Sequence, residues 1–375
     1  MMQRHLFDAP RVLDQVATDA TIEAAIRDHA WFVFNLSGGK DSTATAKAAM
    51  LHLDAAGHPR DRRIAIHADL GRAEWKSTAE TVERCAVALG LPLIVVRREA
   101  GDMVARWESR FANGKARYTE LRTYNLIGPW SSASLRFCTS ELKAQVIGPY
   151  LARRFAGQRI VQVIGIRREE STGRKTTPIS KPDERFAKPG NRAGTSMMLW
   201  HPGVDWLTEE VFDCHNRHAL PLHEAYTAFG SGRLSCAFCI LASIADLRAA
   251  ASAASNLDLY QHLVAIEANS TFSFQPDRWL GDVAPSLLSP GLAADLIVGK
   301  MRAAERQATE AAMPAGLRYV KGWPVRVPTF DEAEQIVEAR RTILAHHGLP
   351  ATYDQPHMVI DRFAELMALK PKGAN

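Results

Sequence analysis

The residues best suited to chemistry in this chain of 375 residues are six in a row: Ser37, Gly38, Gly39, Lys40, Asp41 and Ser42. Two adjacent glycines let a backbone approach a ligand closely. The hydroxyls of Ser37 and Ser42, with the N–H groups at the start of a following helix, then face an anion. Lys40 adds a movable point charge. The run is a phosphate cradle, but not of the Walker type, which needs four residues between its first glycine and Gly-Lys.

The cysteines are the second set. Cys236-Ala237-Phe238-Cys239 follows a Gly230-Ser231-Gly232 turn that could present both sulfurs to one metal, Cys138 lies far upstream, and Cys214 has His215, His218 and His223 nearby. Three or four thiolates suit an iron–sulfur cluster. Structural zinc on Cys236, Cys239 and two of Cys214, His218 and Cys138 is a second reading, and free thiols are a third. Cys85 sits inside a helical pattern and reads as a core thiol. Arg136 and Lys143 flank Cys138, while Arg167 and Arg174 flank Glu170. Guanidinium forks grip phosphate or sulfate bidentately.

These groups need elements to hold them. Trp31–Leu36 reads as a buried strand before the glycine loop, and Thr43–Ala56 as the helix after it, ended by Gly57. Arg63–Asp69 is a second apolar run, placing Asp69 and Glu74 where ligands bind in open α/β sheets. A helix over Lys76–Leu89 and strands at Leu93–Val96, Ile160–Ile164 and within Met198–Trp206 continue the alternation. Short strands alternating with such helices predict parallel βαβ units. Residues 1–30 read as helical, and Thr208 before Glu209 and Glu210 reads as an N-cap for a helix to His218. Residues 99–135, basic and aromatic, read as an insertion forming a lid or substrate loop. Lys175–Thr195 reads as a mobile polar segment. After Ala245 the chain turns helical, with amphipathic stretches at 293–312 and 330–347 and a short strand at Tyr319–Val327. The expected fold is α/β: a Rossmann-like doubly wound, mainly parallel sheet over residues 1–245, and a helical appendage over 246–375 for dimerisation or partner docking.

Composition narrows the classes. A hydrophobic content of 46% supports a large core. Net charge is +5, but residues 97–192 carry 20 Lys/Arg against 9 Asp/Glu, a surplus of +11. Such a block suits a polyanion: ATP, a sulfonucleotide, DNA or tRNA. No apolar signal region opens the chain and no stretch has the length of a membrane span, which excludes a membrane partner. Five cysteines without an export signal predict a reducing, cytoplasmic setting.

The six-residue loop resembles the PP-loop of the ATP pyrophosphatase (adenine nucleotide alpha hydrolase-like) superfamily. The order of motifs narrows the resemblance: the loop, Arg136-x-Cys138-Thr139 with Leu142-Lys143, then Gly165-x-Arg167-x-x-Glu170-Ser171-x-x-Arg174. Pro202-x-x-Asp205-Trp206 and Cys236-x-x-Cys239 complete it. Over residues 25–245 it resembles the phosphoadenosine phosphosulfate (PAPS) reductase-like family, most of all its DNA phosphorothioation sulfurtransferase branch. The resemblance implies ATP on Ser37–Ser42, with Asp69, Lys143, Gly165 and Glu170 lining the nucleotide. Lys40, Asp41, Arg136, Arg167 and Arg174 would act catalytically, with Mg²⁺ on the phosphates and Asp41. It implies ATP cleavage to AMP and pyrophosphate, adenylating an acceptor for sulfur from a donor protein or sulfide. A [4Fe–4S] cluster on Cys138, Cys236 and Cys239, with Cys214 as fourth ligand, is implied likewise. True PAPS reductases use a C-terminal Glu-Cys-Gly and have a degenerate loop; here no cysteine follows Cys239 and the loop is intact. A sulfonucleotide reductase with another reductant is the alternative activity. A nucleotide-binding subunit of a DNA modification or defence complex is the alternative from another class.

Overall fold

The computed structural model describes residues 14–371, so the first part of the helix expected over 1–30 lies outside the described residues. Two compact units divide the chain: residues 1–102 with 137–237, and 103–136 with 238–375.

In the first unit, α1 (Ala20–Arg27) starts where the Asp19 carboxylate accepts N–H bonds from Thr21 and Ile22, which satisfies two donors of its open first turn. β1 (Trp31–Asn35) leads through the glycine loop into α2 (Lys40–Ala55). β2 (Arg63–Asp69), α3 (Thr78–Leu89) and β3 (Leu93–Arg97) follow, with Gly90 closing α3 in the left-handed region at φ 65°. The next helix, α4 (Met103–Thr119), belongs to the second unit. α5 (Phe137–Thr139) then runs through a π-turn at Ser140–Ala144 into α6 (Gln145–Arg154). β4 (Arg159–Val163), β5 (Ser180–Pro182), β6 (Ser196–Trp200), α7 (Thr208–Arg217) and α8 (Glu224–Thr227) complete the unit.

The six strands are ordered β3-β2-β1-β4-β6-β5, parallel except for β5 against β6. β1 is central, with Asn35 opposite Ile66 of β2 and Phe34 opposite Val163 of β4. Side chains alternate across the sheet. Phe32 and Phe34 join Ile22, Ala49, Leu53 and Val82 on the face covered by α1, α2 and α3. Val33 joins Ile147, Leu151 and Phe155 on the face covered by α6. Both faces are buried, so this is a Rossmann-like doubly wound core. Chain order reverses between β1 and β4, the switch point where such sheets bind ligands.

The second unit is helical: α4 with α9 (Ile244–Ser252), α10 (Leu257–Ser270), α11 (Pro290–Ala312), α12 (Phe330–His346) and α13 (Pro356–Ala368). Leu121, Tyr124, Leu317, Ile336 and Phe363 form one core cluster. Buried Arg340 of α12 donates to the carbonyls of Tyr118 and Thr119 at 2.5 and 3.1 Å, a cation on the open C-terminal end of α4.

The stretch 99–135, expected as a lid or substrate loop, contains the helix α4, and its Trp107, Tyr118, Tyr124 and Trp130 are buried. Two expectations are corrected. Tyr319–Val327 forms no strand, only an isolated bridge between Val320 and Trp323. The polar stretch read as mobile supplies the edge strand β5, whose short length and Pro182 suit a sheet margin. Among the described residues no helix is long and apolar enough to cross a membrane.

Candidate functional site

Gly38 takes φ 73°, a left-handed turn that costs glycine little and redirects the chain from β1 into α2. Gly39 caps α2 without any side-chain hydrogen bond. The N-cap itself thus brings no side chain to the first turn, whose Lys40 N–H is taken instead by the Tyr226 hydroxyl. Ser37 and Ser42 face each other, Oγ to Oγ at 3.1 Å, and the Ser37 N–H donates to Ser42 Oγ at 3.2 Å. The two hydroxyls thus share one side of the loop.

Lys40 is 4% exposed. Its Nζ lies 3.2 Å from Asp41 Oδ2, 3.4 Å from the Gly232 carbonyl, and over the rings of Phe212 and Tyr226. The Tyr226 hydroxyl accepts N–H bonds from Lys40 and from Leu234. His215 Nε2 donates to the Lys40 carbonyl at 2.9 Å. The loop is thus held from behind by α7, α8 and the segment after them.

From the other side comes the chain after β4. A methyl group at Gly165 would lie 2.7 Å from the backbone of Asp41 and Ser42, so this contact admits only glycine. Two residues on, buried Arg167 donates from Nε to Asp41 Oδ1 at 2.6 Å and from Nη1 to Glu169. Burial opposes its charge, but Asp41 and Glu169 outweigh it and raise its pKa. Glu169 also accepts from Thr208 N and Oγ1 at 2.9 and 3.0 Å; these bonds and Arg167 overcome partial desolvation and lower its pKa. Thr208 is therefore no N-cap, as the sequence suggested: Leu207 holds that position, because Glu169 takes the threonine hydroxyl. Glu170 accepts the Arg167 N–H at 3.0 Å and pairs with Arg174. Lys40, Arg167 and Arg174 thus share one network with Asp41, Glu169 and Glu170.

Asp69 ends β2, accepts the Gly71 N–H at 2.7 Å, and pairs with Arg97 at 2.6 Å. Cys138 and Lys143 lie, part-exposed, along the helix through the π-turn. Arg136 and Cys239 belong to the second unit, while Cys138 and Cys236 belong to the first. Cys214 is fully buried on α7 beside Asp14 and His218. Burial and the Asp14 charge push its thiol up to about 12. Among the described residues Asp14, Cys214 and His218 are the group of three or more possible metal ligands. The three histidines near Cys214 serve different ends: His215 holds Lys40, His218 binds Asp14, and His223 caps α8.

Sequence reasoning missed Tyr226, Phe212 and Glu169, which carry no motif of their own. It also missed His67. Its Nδ1 meets the Leu36 carbonyl at 2.8 Å, which assigns the proton to Nδ1, while buried Nε2 has no hydrogen-bond partner and stands 3.5 Å from Glu74. Much of the basic surplus at 97–192 is spent internally: Arg97 on Asp69, Arg159 on Asp28, Arg168 on Asp205 and Arg185 on Asp183.

One family model matches, the phosphoadenosine phosphosulfate reductase domain, over residues 32–242. That span runs from β1 to just past Cys239 and includes every residue of the network. No curated protein matches the chain.

Proposed function

The chain belongs to the phosphoadenosine phosphosulfate reductase domain family, and on that premise we propose that it is an enzyme of adenine-nucleotide-dependent sulfur chemistry. Its nucleotide phosphates would lie on Ser37–Ser42. The observation that carries this reading is the close seating of Gly165 on the backbone of Asp41 and Ser42, at the switch point of a doubly wound sheet. It leaves the loop backbone rigid and its N–H groups preorganised for an anion. Lys40 would sit against the phosphates while Arg167 and Glu169 hold Asp41 in place.

Family membership favours a sulfonucleotide as substrate. In that chemistry the sulfuryl sulfur gains two electrons, two thiols become a disulfide, and sulfite leaves with the adenosine bisphosphate. One observation favours a second reading, ATP cleavage to AMP and pyrophosphate with adenylation of a sulfur acceptor: the loop keeps both serines, Lys40 and Asp41. In that reading Asp41 would hold Mg²⁺, which would supply charge neutralisation for the phosphates. The acceptor extends to nucleic acid, as in the phosphorothioation branch.

A [4Fe–4S] cluster fits neither reading through Cys214, whose thiol is buried against Asp14 and His218 rather than beside Cys138 or Cys236. A cluster or zinc on Cys138, Cys236 and Cys239 rests on the family resemblance, since Cys236-x-x-Cys239 alone is ambiguous.

The deciding experiment supplies purified protein with PAPS and a dithiol, or with ATP and Mg²⁺. Sulfite formation supports the sulfonucleotide reading, and AMP with pyrophosphate supports the adenylating one. Binding of either nucleotide without turnover would point to a nucleotide-binding subunit. No calorimetric binding of either, in protein shown to be folded, would sink the assignment of the loop.

A further inference from the structure

Behind the loop, at the far end of α7, two donor atoms of that helix meet a third from the N-terminal segment. Cys214 and His218 lie one helical turn apart, so their side chains share a face. Asp14 comes from the N-terminal segment, with its backbone in the left-handed region at φ 59°. Its carboxylate, the Cys214 sulfur and a His218 ring nitrogen all lie within 4.8 Å of one another. His218 Nε2 to Asp14 Oδ2 is 2.8 Å, and Arg217 donates to the other carboxylate oxygen, Oδ1, at 2.5 Å. The thiol contacts the Ala44 carbonyl at 3.7 Å.

We propose that Asp14, Cys214 and His218 form a metal site suited to Zn²⁺, independent of the nucleotide loop and of the Cys236–Cys239 pair. Sulfur, imidazole nitrogen and carboxylate oxygen are the three ligand types zinc takes, and three protein ligands leave one position for water. Calcium and magnesium prefer oxygen shells and would not select a buried thiol. The protons now shared among the three side chains give way to the cation. Arg217 then keeps the work it already does, orienting the Asp14 carboxylate from outside the ligand set.

A second observation points the same way. A cavity of about 300 Å³ adjoins Asp14, and its lining includes the carboxylates of Asp14, Asp205, Glu210 and Asp213 beside the guanidinium of Arg217. Neither Cys214 nor His218 lines it, so a cation entering it would meet the Asp14 carboxylate first.

The site would fasten the segment after Asp14 to α7. That segment is otherwise held by backbone acceptors: Gln15 and Ala17 carbonyls receive the indole N–H groups of Trp206 and Trp200, each at 2.8 Å. Because His215 of α7 holds the Lys40 carbonyl, the metal would brace the helix that supports the phosphate loop.

The test uses the full chain stripped by chelator under reducing conditions, then titrated with ZnCl₂ or CoCl₂. Replacing Cys138, Cys236 and Cys239 by serine first removes the competing thiols. One equivalent of Co²⁺ should then give thiolate-to-cobalt charge transfer and the intense visible bands of four-coordination. Adding Cys214→Ser should abolish the charge transfer, and His218→Ala should weaken Zn²⁺ binding at least about 10-fold. If the triple-serine protein fails to fold, Asp14→Asn and His218→Ala in the unmodified chain should each lose one equivalent of metal. No cobalt–thiolate band in folded triple-serine protein, a band that survives Cys214→Ser, or unchanged stoichiometry in both single variants would overturn the site.

Discussion

Arg167 Nε donates to Asp41 Oδ1 at 2.6 Å, joining the loop after β4 to the first turn of α2 across 126 residues of chain. The guanidinium is almost wholly buried, and Glu169 occupies another of its nitrogens. The arginine therefore braces the loop as well as charging it. Removing one partner of such a pair leaves a buried charge without compensation. Arg167→Ala should destabilise the protein by about 3–5 kcal/mol in urea unfolding. The double variant with Asp41→Asn should cost less than the sum of the two singles, by about 1 kcal/mol or more. Simple additivity would mean that the pair does not act as a unit.

Gly165→Ala tests the seating of β4 on the loop. The added methyl meets the backbone of Asp41 and Ser42 at 2.7 Å, where no flexible side chain can yield. The loop must shift by several tenths of an ångström, and the preorganised N–H groups shift with it. Affinity for the bound nucleotide should fall about 100-fold by calorimetry, with the far-ultraviolet spectrum unchanged. Wild-type affinity in this variant would show that the phosphates bind elsewhere.

His215 offers a separate route to the same loop. It is 2% exposed, and its Nε2 bond to the Lys40 carbonyl is 2.9 Å long. The Lys40 carbonyl also accepts within α2, so His215→Ala removes its second bond, at a cost of about 0.5–1.5 kcal/mol. Thermal unfolding measures the loss; nucleotide affinity should fall with it, since the carbonyl belongs to the first helical turn. An unchanged melting temperature would exclude the imidazole as a support of the loop.

Glu267 of the second unit predicts a pH dependence. Its carboxyl is fully buried and receives the N–H groups of Phe274 and Leu280 at 2.7 Å each and of Gly281 at 3.1 Å. Burial dominates those bonds and raises its pKa to about 7 from 4.5. The folded state therefore favours the protonated form. Its contribution is complete below pH 4.5 and is lost as pH rises through 7. The shift corresponds to roughly 3 kcal/mol. Unfolding free energies of wild type and Glu267→Gln, compared at pH 5 and pH 8, should diverge by an amount of that order. Parallel pH profiles would remove Glu267 from the account.

What could be read from the chain alone was local. The loop at Ser37–Ser42 is legible because a left-handed glycine, an uncapped helix start and a buried strand before it are all set by neighbouring residues. Strand and helix positions from Trp31 to Leu89 follow from periodicity for the same reason, as do the amphipathic stretches that become α11 and α12. Tertiary structure alone decided the partners. It gave the Thr208 hydroxyl to Glu169, which sequence read as a helix cap, and it set Cys214 beside Asp14 and His218. It also turned the aromatic residues after Met103 into core. Those outcomes depend on distances between residues far apart in the chain. Such distances are set by the strand order and by which apolar faces find cover, and no local pattern of residues encodes either.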